Sequence, residues 1–248
     1  MTCDFDFADF HAHIDQYGDD ALEDVTAKII SKKILTVTAS TDIESWRRNV
    51  EIAARAPELI LPTFGVHPSF CGKIRGEDIE PYLAESRIIG EIGLDFFWER
   101  KVPREEQERY FLLCLDHCHR NGKAAVIHTK GAERRVADIL RDFPAARPII
   151  HWYDGDDDVY KTFLDRGYPQ TFGCELRRSE RIARLLRMTP PELILAETDN
   201  PTGEPWLGGT DNTPALIERV VKDIAAARST TPAETSALIR ENTLRALS

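Results

Sequence analysis

Eight short apolar segments alternate with amphipathic segments along the 248-residue chain, and this alternation is what most constrains its fold. Several apolar segments are rich in Val, Ile and Leu with little polar alternation, which is typical of parallel strands covered on both sides. The predicted strands are residues 5–10, 34–39, 59–66, 87–92, 124–128, 148–152, 169–174 and 193–198. Helical patterns lie between and after them, at residues 21–32, 42–56, 77–86, 103–121, 132–143, 157–166, 179–188, 214–228 and 232–246.

Eight strand–helix units predict an α/β fold in which a single (β/α)8 TIM-type barrel forms one domain over residues 1–248. An open, doubly wound sheet is the alternative. The barrel is favoured because the candidate site residues come from six different strands, and an open sheet would not bring six strand ends to one point.

The chain carries 42 acidic and 32 basic residues, which gives a net charge of -10. This charge argues against broad, salt-driven binding along duplex DNA, although bound cations can still bring a nuclease to a small part of a nucleic acid. No signal peptide or membrane-spanning segment is expected. Five scattered cysteines, an odd number, indicate reduced thiols and a cytoplasmic protein.

Unusual polar residues stand at the predicted C-terminal ends of these strands. Five of the seven histidines occupy such positions. Barrel enzymes gather their catalytic groups at this edge, and core packing gives no reason for such a gathering. The set comprises His11 and His13 at the end of the first strand, His67 at the end of the third, Glu91 at the end of the fourth, His128 at the end of the fifth, His151 at the end of the sixth, and Asp199, which follows the eighth.

The spacing of these residues predicts a site for cations. Histidines two apart on a strand, such as His11 and His13, point to the same side and can share one cation. Glu91 has two oxygens and can bridge two cations about 3.5–4 Å apart, with His128 and His151 on the second cation. Nitrogen and oxygen ligands together permit Mg²⁺, Mn²⁺ or Zn²⁺.

Other polar and aromatic residues on the same predicted edge suggest contacts with a substrate. Basic residues on its loops either contact phosphates or are solvated surface charges. Three aromatic residues after the fourth strand either stack on an unpaired base or pack within their loop. The basic residues are Lys73, Arg75, Lys130, Arg177 and Arg178, and the aromatic residues are Phe96, Phe97 and Trp98.

The segment 114–119 has residue types that resemble a zinc site. On a helix, however, Cys114 and Cys118 share one face while His117 and His119 point elsewhere. Since structural zinc needs four converging ligands, core or surface packing is the preferred interpretation.

Several of these segments match known motifs in order and spacing along nearly the whole chain. At these residues the sequence resembles the TatD family of metal-dependent deoxyribonucleases, within the wider amidohydrolase-like barrels. The final Glu241–Asn242 also resembles the last-helix pattern of that family. The matching segments are Asp9-Phe10-His11-Ala12-His13-Ile14-Asp15, Gly65-Val66-His67-Pro68, Gly90-Glu91-Ile92-Gly93-Leu94-Asp95, Val126-Ile127-His128, Ile150-His151 through Gly155, and Glu197-Thr198-Asp199-Asn200-Pro201.

The resemblance implies two divalent cations and metal-dependent cleavage of DNA, often as an exonuclease from the 3′ end. Two such cations are expected to activate a water near neutral pH, and Asp199 can both bind a cation and accept the proton of that water. The resemblance further implies that His67 contacts the scissile phosphate or moves a proton, and that Glu197 supports the site. The implied ligands are His11, His13 and Asp199 for the first cation, His128 and His151 for the second, and Glu91 for both.

The chain departs from the family pattern in the loops that contact a substrate. Trp152 and Tyr153 replace a common Cys–Phe pair, Thr202 and Gly203 replace an aromatic after Pro201, and residues 173–176 are not the usual small polar run. The cation ligands are intact, whereas the substrate pocket is altered. A two-metal hydrolase of a small ester, lactone, amide or phosphoester is therefore the alternative function.

Two segments of the sequence suggest that the protein has partner proteins. The segments 151–153 and 206–209 look like a TatD-type subgroup found in bacterial anti-phage operons. That likeness implies a place among partner proteins of a defence complex. A non-catalytic subunit is a further alternative, although intact ligands argue against it.

Overall fold

The structure is a computed structural model that describes residues 4–248, so Cys3 lies outside the described residues. Every predicted strand is present within that range, with bounds that differ by a few residues. The strands are β1 (Phe7–Ala12), β2 (Ile34–Ala39), β3 (Ile60–Thr63), β4 (Ile89–Asp95), β5 (Ala124–Lys130), β6 (Arg147–Ile150), β7 (Gln170–Phe172) and β8 (Ile194–Ala196).

Helices alternate with these strands as predicted. The short helix Gly203–Trp206 is the one that the sequence patterns did not predict, since a four-residue segment with Gly and Pro has no helical periodicity. The helices are α1 (Asp19–Ser31), α2 (Ile43–Ala53), α3 (Glu80–Glu85), α4 (Arg104–Asn121), α5 (Glu133–Ile139), α6 (Asp157–Asp165), α7 (Glu180–Met188), α8 (Gly203–Trp206), α9 (Leu216–Arg228) and α10 (Pro232–Leu247).

The chain divides into two compact units, and the single domain predicted for residues 1–248 stays a prediction. In its described part, unit 1 consists of residues 4–38, 48–61 and 170–248. Here β1 pairs in parallel with β2, and β7 pairs in parallel with β8. Helices α9 and α10 pack against β1 and β8. The buried residues Leu22, Val25 and Ile29 of α1 belong to an apolar cluster that also contains Ile60 of β3.

Unit 2 consists of residues 39–47 and 62–169. Strand β5 pairs in parallel with β4 on one side and with β6 on the other. Every residue of β4 is buried, and α4 packs against this strand. The cysteines Cys114 and Cys118 face this core from α4 and are fully buried. The four described cysteines form no disulfide.

The strand ends near the predicted site differ from the sequence prediction. Glu91 was expected to end the fourth strand, but β4 continues to Asp95. Gly93 explains the extension, because it has φ of 147° and a Cβ there would lie 2.0 Å from the backbone oxygen of His128. Only glycine allows β4 to pass this close to β5. Likewise β5 runs two residues beyond His128, to Lys130.

Two histidines that were expected to end strands instead follow them. Strand β1 ends at Ala12, so His13 is the first residue after it. Strand β3 ends at Thr63, and His67 begins a 3-10 turn over Pro68–Phe70. The proline fixes its own φ and has no N–H to donate to a sheet, which favours this turn over a longer strand. Among the described residues, no helix is long and apolar enough to cross a membrane.

Candidate metal centre

Three candidate ligands come together in unit 1, and we call His11, His13 and Asp199 the His11 cluster. The backbone sets their arrangement. The N–H of Asp199 donates to the carbonyl of His11 at 2.9 Å, and the N–H of His13 donates to the carbonyl of Asn200 at 2.7 Å. These two hydrogen bonds join the loop after β8 to the end of β1. Residues far apart in sequence are thereby held at neighbouring positions.

The side chains of the His11 cluster converge on one point. The two Nε2 atoms of His11 and His13 lie 3.2 Å apart. Oδ1 of Asp199 lies 3.5 Å from Nε2 of His11 and 3.4 Å from Nε2 of His13. Ligands about 2.0–2.1 Å from a tetrahedral cation lie about 3.4 Å apart, so these atoms stand at the spacing of ligands around one cation. Two imidazoles and a carboxylate fit a divalent transition ion.

Asp9 supports this cluster, and the sequence prediction gave it no role. Its Oδ1 accepts from the N–H of Thr198 at 2.9 Å and its Oδ2 accepts from the hydroxyl of Thr198 at 2.6 Å. The N–H of His11 also points to Oδ1, at 3.4 Å. Burial raises the pKa of Asp9 to about 8. In the sequence Asp9 shares the parity of His11 and His13 along a strand, but many other residues share a parity with a ligand in the same way.

Two further buried carboxylates follow β7 and β8 in unit 1. Glu197, which was predicted to support the site, is fully buried and its N–H donates to the carbonyl of Phe172 at 3.0 Å. Glu175, which was not predicted, accepts from the N–H of Gly173 at 3.1 Å. Burial and the neighbouring charge of Glu197 raise the pKa of Glu175 to about 8.

Unit 2 holds a second group of candidate ligands, and we call Glu91, Asp95, His128, His67 and His151 the His128 cluster. Oε1 of Glu91 is at its centre. It lies 2.8 Å from Nδ1 of His128. It also lies 3.7 Å from Nε2 of His151 and 3.9 Å from Nε2 of His67. The members of the cluster come from β4, from β5 and from the segments after β3 and β6.

Asp95 holds the ring of His128 from the side opposite Glu91. Its Oδ2 lies 3.2 Å from Nε2 of His128, so both ring nitrogens have a carboxylate partner. Burial opposes protonation of His128, but the hydrogen bonds to Asp95 and Glu91 outweigh it and raise its pKa to about 9. Burial likewise acts against the charge of Asp95, but the contact with His128 prevails and lowers its pKa to about 2. A carboxylate on the far nitrogen of a histidine is the usual support of a metal-binding imidazole.

His67 lies beside Glu91 at the edge of the His128 cluster. Its Nδ1 accepts from the N–H of Ser69 at 3.2 Å, which leaves Nε2 directed towards Glu91. Ligand atoms of His67, Glu91 and His128 lie within 4.8 Å of one another, a spacing that suits one metal ion. The structure therefore adds His67 to the candidate ligands, and its predicted contact with the phosphate stays a prediction.

The basic residues predicted to contact phosphates have partners within the protein. Lys73 lies over the ring of Phe70, with 4.5 Å from Nζ to the ring centroid. The other four form ion pairs with carboxylates, so their predicted phosphate contacts stay predictions. These pairs are Arg75 with Asp78 and Glu77, Lys130 with Asp154, Arg177 with Asp223, and Arg178 with Glu204.

The zinc-like segment on α4 does not gather ligands in the described part of the chain. Cys114 and Cys118 are buried in the core of unit 2, and Nδ1 of His117 lies 3.3 Å from Oε1 of Glu80. Nδ1 of His119 accepts from the N–H of Ala145 at 3.1 Å. Packing and contacts within the protein account for the positions of these four side chains, as predicted.

Comparison with known proteins places this arrangement in a family. The family model described as TatD related DNase matches residues 8–248. The uncharacterized metal-dependent hydrolase MJ1582 of Methanocaldococcus jannaschii is 27% identical, over 98% of this chain and 97% of the relative. Human deoxyribonuclease TATDN3 is 25% identical, over 80% of this chain and 82% of its own length.

A solved structure supports the same assignment at the level of the fold. YJJV, a TatD homolog from Escherichia coli, matches with a TM-score of 0.86 at 21% identity, over 99% of this chain and 98% of that one. The likeness confirms the predicted α/β fold of the (β/α)8 TIM-barrel type. Since the family model matches nearly the whole sequence, the chain belongs to the TatD-related DNase family of metal-dependent hydrolases.

Proposed function

We propose that the protein is a divalent-metal-dependent hydrolase that cleaves phosphodiester bonds of DNA, at single strands or strand ends. One observation carries the proposal. Each of the two clusters brings imidazole nitrogens and a carboxylate oxygen together, and the His11 cluster does so at the spacing of ligands around one cation. The name of the human relative, a deoxyribonuclease, supports DNA as the substrate.

The proposal assigns one cation to each cluster. In the His11 cluster His11, His13 and Asp199 hold it, and in the His128 cluster His128, His151 and Glu91 do so. Mg²⁺, Mn²⁺ and Zn²⁺ all suit nitrogen and oxygen donors of this kind. The bridging role of Glu91, the support from Glu197 and the exonuclease mode stay predictions of the resemblance.

Divalent cations in such a site supply a water whose pKa is low enough to lose its proton near neutral pH, and they stabilise charge on phosphate oxygens. The protein's own residues supply the rest of the chemistry. Asp199 is partly exposed, with 21% of its side chain accessible, so it can accept a proton from a water as well as bind a cation. His67 keeps 17% of its side chain accessible, and the proposal gives it the role that the resemblance implies, donation to a phosphate or a leaving oxygen.

A panel of substrates and metals tests the proposal. The purified protein would be incubated with end-labelled single-stranded DNA in the presence of Mg²⁺, Mn²⁺ or Zn²⁺, with a chelator as the control. We expect cleavage that depends on the cation and that Asp199→Asn removes. No cleavage with any of these cations, together with hydrolysis of small esters, would overturn the nuclease proposal.

The small-substrate alternative is included in this panel because one observation favours it. Arg75, Lys130, Arg177 and Arg178 are each paired with a carboxylate of the protein, and the net charge is -10. A surface of this kind gives long nucleic acids little non-specific attraction. The cytoplasmic location and partner proteins of a defence complex stay predictions.

A further inference from the structure

Two large aromatic side chains are exposed directly after β4, and we call Phe97 and Trp98 the aromatic platform. About half of each side chain is accessible, at 53% for Phe97 and 45% for Trp98. Their ring centroids lie 6.0 Å apart with an interplanar angle of 70°. Two adjacent exposed rings offer apolar faces on which a planar group of a ligand can stack.

Asp95 ties this platform to the His128 cluster. Its Oδ1 accepts from the N–H groups of Phe97 at 2.9 Å, Trp98 at 2.7 Å and Glu99 at 3.2 Å. Its other oxygen, Oδ2, contacts Nε2 of His128 at 3.2 Å. One carboxylate therefore fixes both the backbone that presents the two rings and the imidazole of a candidate ligand. The two rings therefore follow, within three residues, the carboxylate that contacts His128.

One cationic side chain lies over the platform, and two more contact the segment that carries it. Nζ of Lys130 lies 4.4 Å from the ring centroid of Trp98 and 5.6 Å from that of Phe97. The guanidinium of Arg100 donates to the carbonyl of Phe97 at 3.1 Å. Arg104 lies 4.5 Å from the ring centroid of Phe96, which is half-buried. Aromatic rings interleaved with cations are typical of surfaces that bind single-stranded nucleic acid by stacking.

We propose that the aromatic platform stacks an unpaired base of the substrate strand, next to a phosphodiester at the His128 cluster. The inference rests on the proposed function and narrows its substrate class to single-stranded nucleic acid. A base inside a duplex is already stacked on both faces, whereas an unpaired base has a face free for a ring. Lys130 forms an ion pair with Asp154, and its amine lies over the two rings. In this proposal Lys130 orients the rings and does not contact a phosphate.

Binding of a labelled oligonucleotide tests the platform without cleavage. A fluorescein-labelled, phosphorothioate-linked single strand resists hydrolysis, and anisotropy measures its Kd for the full-length protein. We expect Trp98→Ala to weaken binding about 5-fold to 150-fold, the range for one lost stacking contact. Trp98→Phe keeps an aromatic face and should retain most of the affinity. Trp206→Ala, which removes another exposed tryptophan, should leave the Kd unchanged.

Hydrolysis of a single strand built from stable abasic residues, which has phosphodiesters but no bases, separates this inference from the proposed function. The ratio of the KM for an ordinary single strand to the KM for the abasic strand should rise in Trp98→Ala and should keep its wild-type value in Trp206→Ala. Wild-type affinity of Trp98→Ala for the single strand, or failure of the wild-type protein to bind it, would overturn the platform. If the wild-type protein binds the strand through Trp98 but hydrolyses no diester, the proposed function fails and the platform stands.

Discussion

Asp9 in unit 1 and Asp95 in unit 2 both lie beside candidate metal ligands, but they contact different parts of the molecule. Asp9 accepts hydrogen bonds from the N–H and the hydroxyl of Thr198 and from the N–H of His11. Asp95 contacts the ring of His128 and accepts hydrogen bonds from the N–H groups of the aromatic platform. The first carboxylate joins two segments of backbone, whereas the second orients a ligand. Asp9 should therefore affect stability first, and Asp95 metal binding.

The ligands themselves differ in the same way. In the His11 cluster two histidines come from one strand end, and the third ligand reaches them through backbone hydrogen bonds. In the His128 cluster four separate strands or their following residues supply the members, and Glu91 contacts each histidine. A cluster of the second kind depends more on side-chain orientation. Variants of the carboxylates Asp199, Asp95 and Asp9 test this difference between the two clusters.

The largest effect is expected for Asp199→Asn, which removes a charged ligand of the His11 cluster. Activity on single-stranded DNA should fall by more than about 100-fold, above the range for residues that only support a metal ligand. The midpoint of thermal unfolding should change little, because Asp199 is partly exposed. Steady-state kinetics and a melting curve check this. Full activity in the variant would remove Asp199 from the proposed machinery.

Asp95→Asn should have the next largest effect. The neutral amide lacks the negative charge that Asp95 presents to the ring of His128, so metal affinity or activity should fall about 10-fold to 100-fold. Metal titration followed by calorimetry measures the change. If the variant kept its metal affinity and lost only affinity for an oligonucleotide, Asp95 would act through the aromatic platform alone.

Asp9→Ala should act on stability instead. The buried N–H of Thr198 loses its acceptor, which costs about 1–3 kcal/mol in the free energy of unfolding. Denaturant titration measures this loss, and metal analysis of the folded protein should give the wild-type content. Wild-type stability together with a loss of metal would mean that Asp9 serves a ligand as Asp95 does, and the contrast between the units would not hold.

Thr231→Ala gives a reference for stability in unit 1 and should have the smallest effect. Thr231 begins α10 with a capping box, in which its hydroxyl accepts from the N–H of Glu234 and the carboxylate of Glu234 accepts from the N–H of Thr231. Loss of such a cap costs about 1 kcal/mol. Denaturant titration should show this loss with activity unchanged. A drop in activity as large as that of Asp95→Asn would show that stability alone controls turnover.

The sequence could predict the eight strands because each is an apolar run of strand length between helical patterns. Strand bounds were least accurate beside the clusters, where buried polar residues interrupt that pattern. Strand β4 extends to Asp95 because Gly93 lets it pass close to β5, and that approach depends on a register that sequence does not record. The fold class needed only periodicity, whereas the strand ends needed the packing.

The candidate ligands were predictable as residue types at strand ends, but their supports were not. Asp9 stands two residues before His11 and Asp95 four after Glu91, so each shares the strand face of a ligand. Parity alone marks many such positions, and only the pairing of Gly93 with His128 shows that Asp95 meets that histidine. The pairing of basic residues with carboxylates also depends on tertiary contacts between loops.

The number of divalent cations bound per chain tests the central claim most directly. The measurement compares the wild-type protein with His13→Ala and His128→Ala, each saturated with Mn²⁺ or Zn²⁺, dialysed and analysed by mass spectrometry of the metal. We predict two cations for the wild-type protein and one for each variant, with a normal melting curve in all three. One cation or none in the wild-type protein, or the same count in a folded variant, would contradict the assignment of one cation to each cluster.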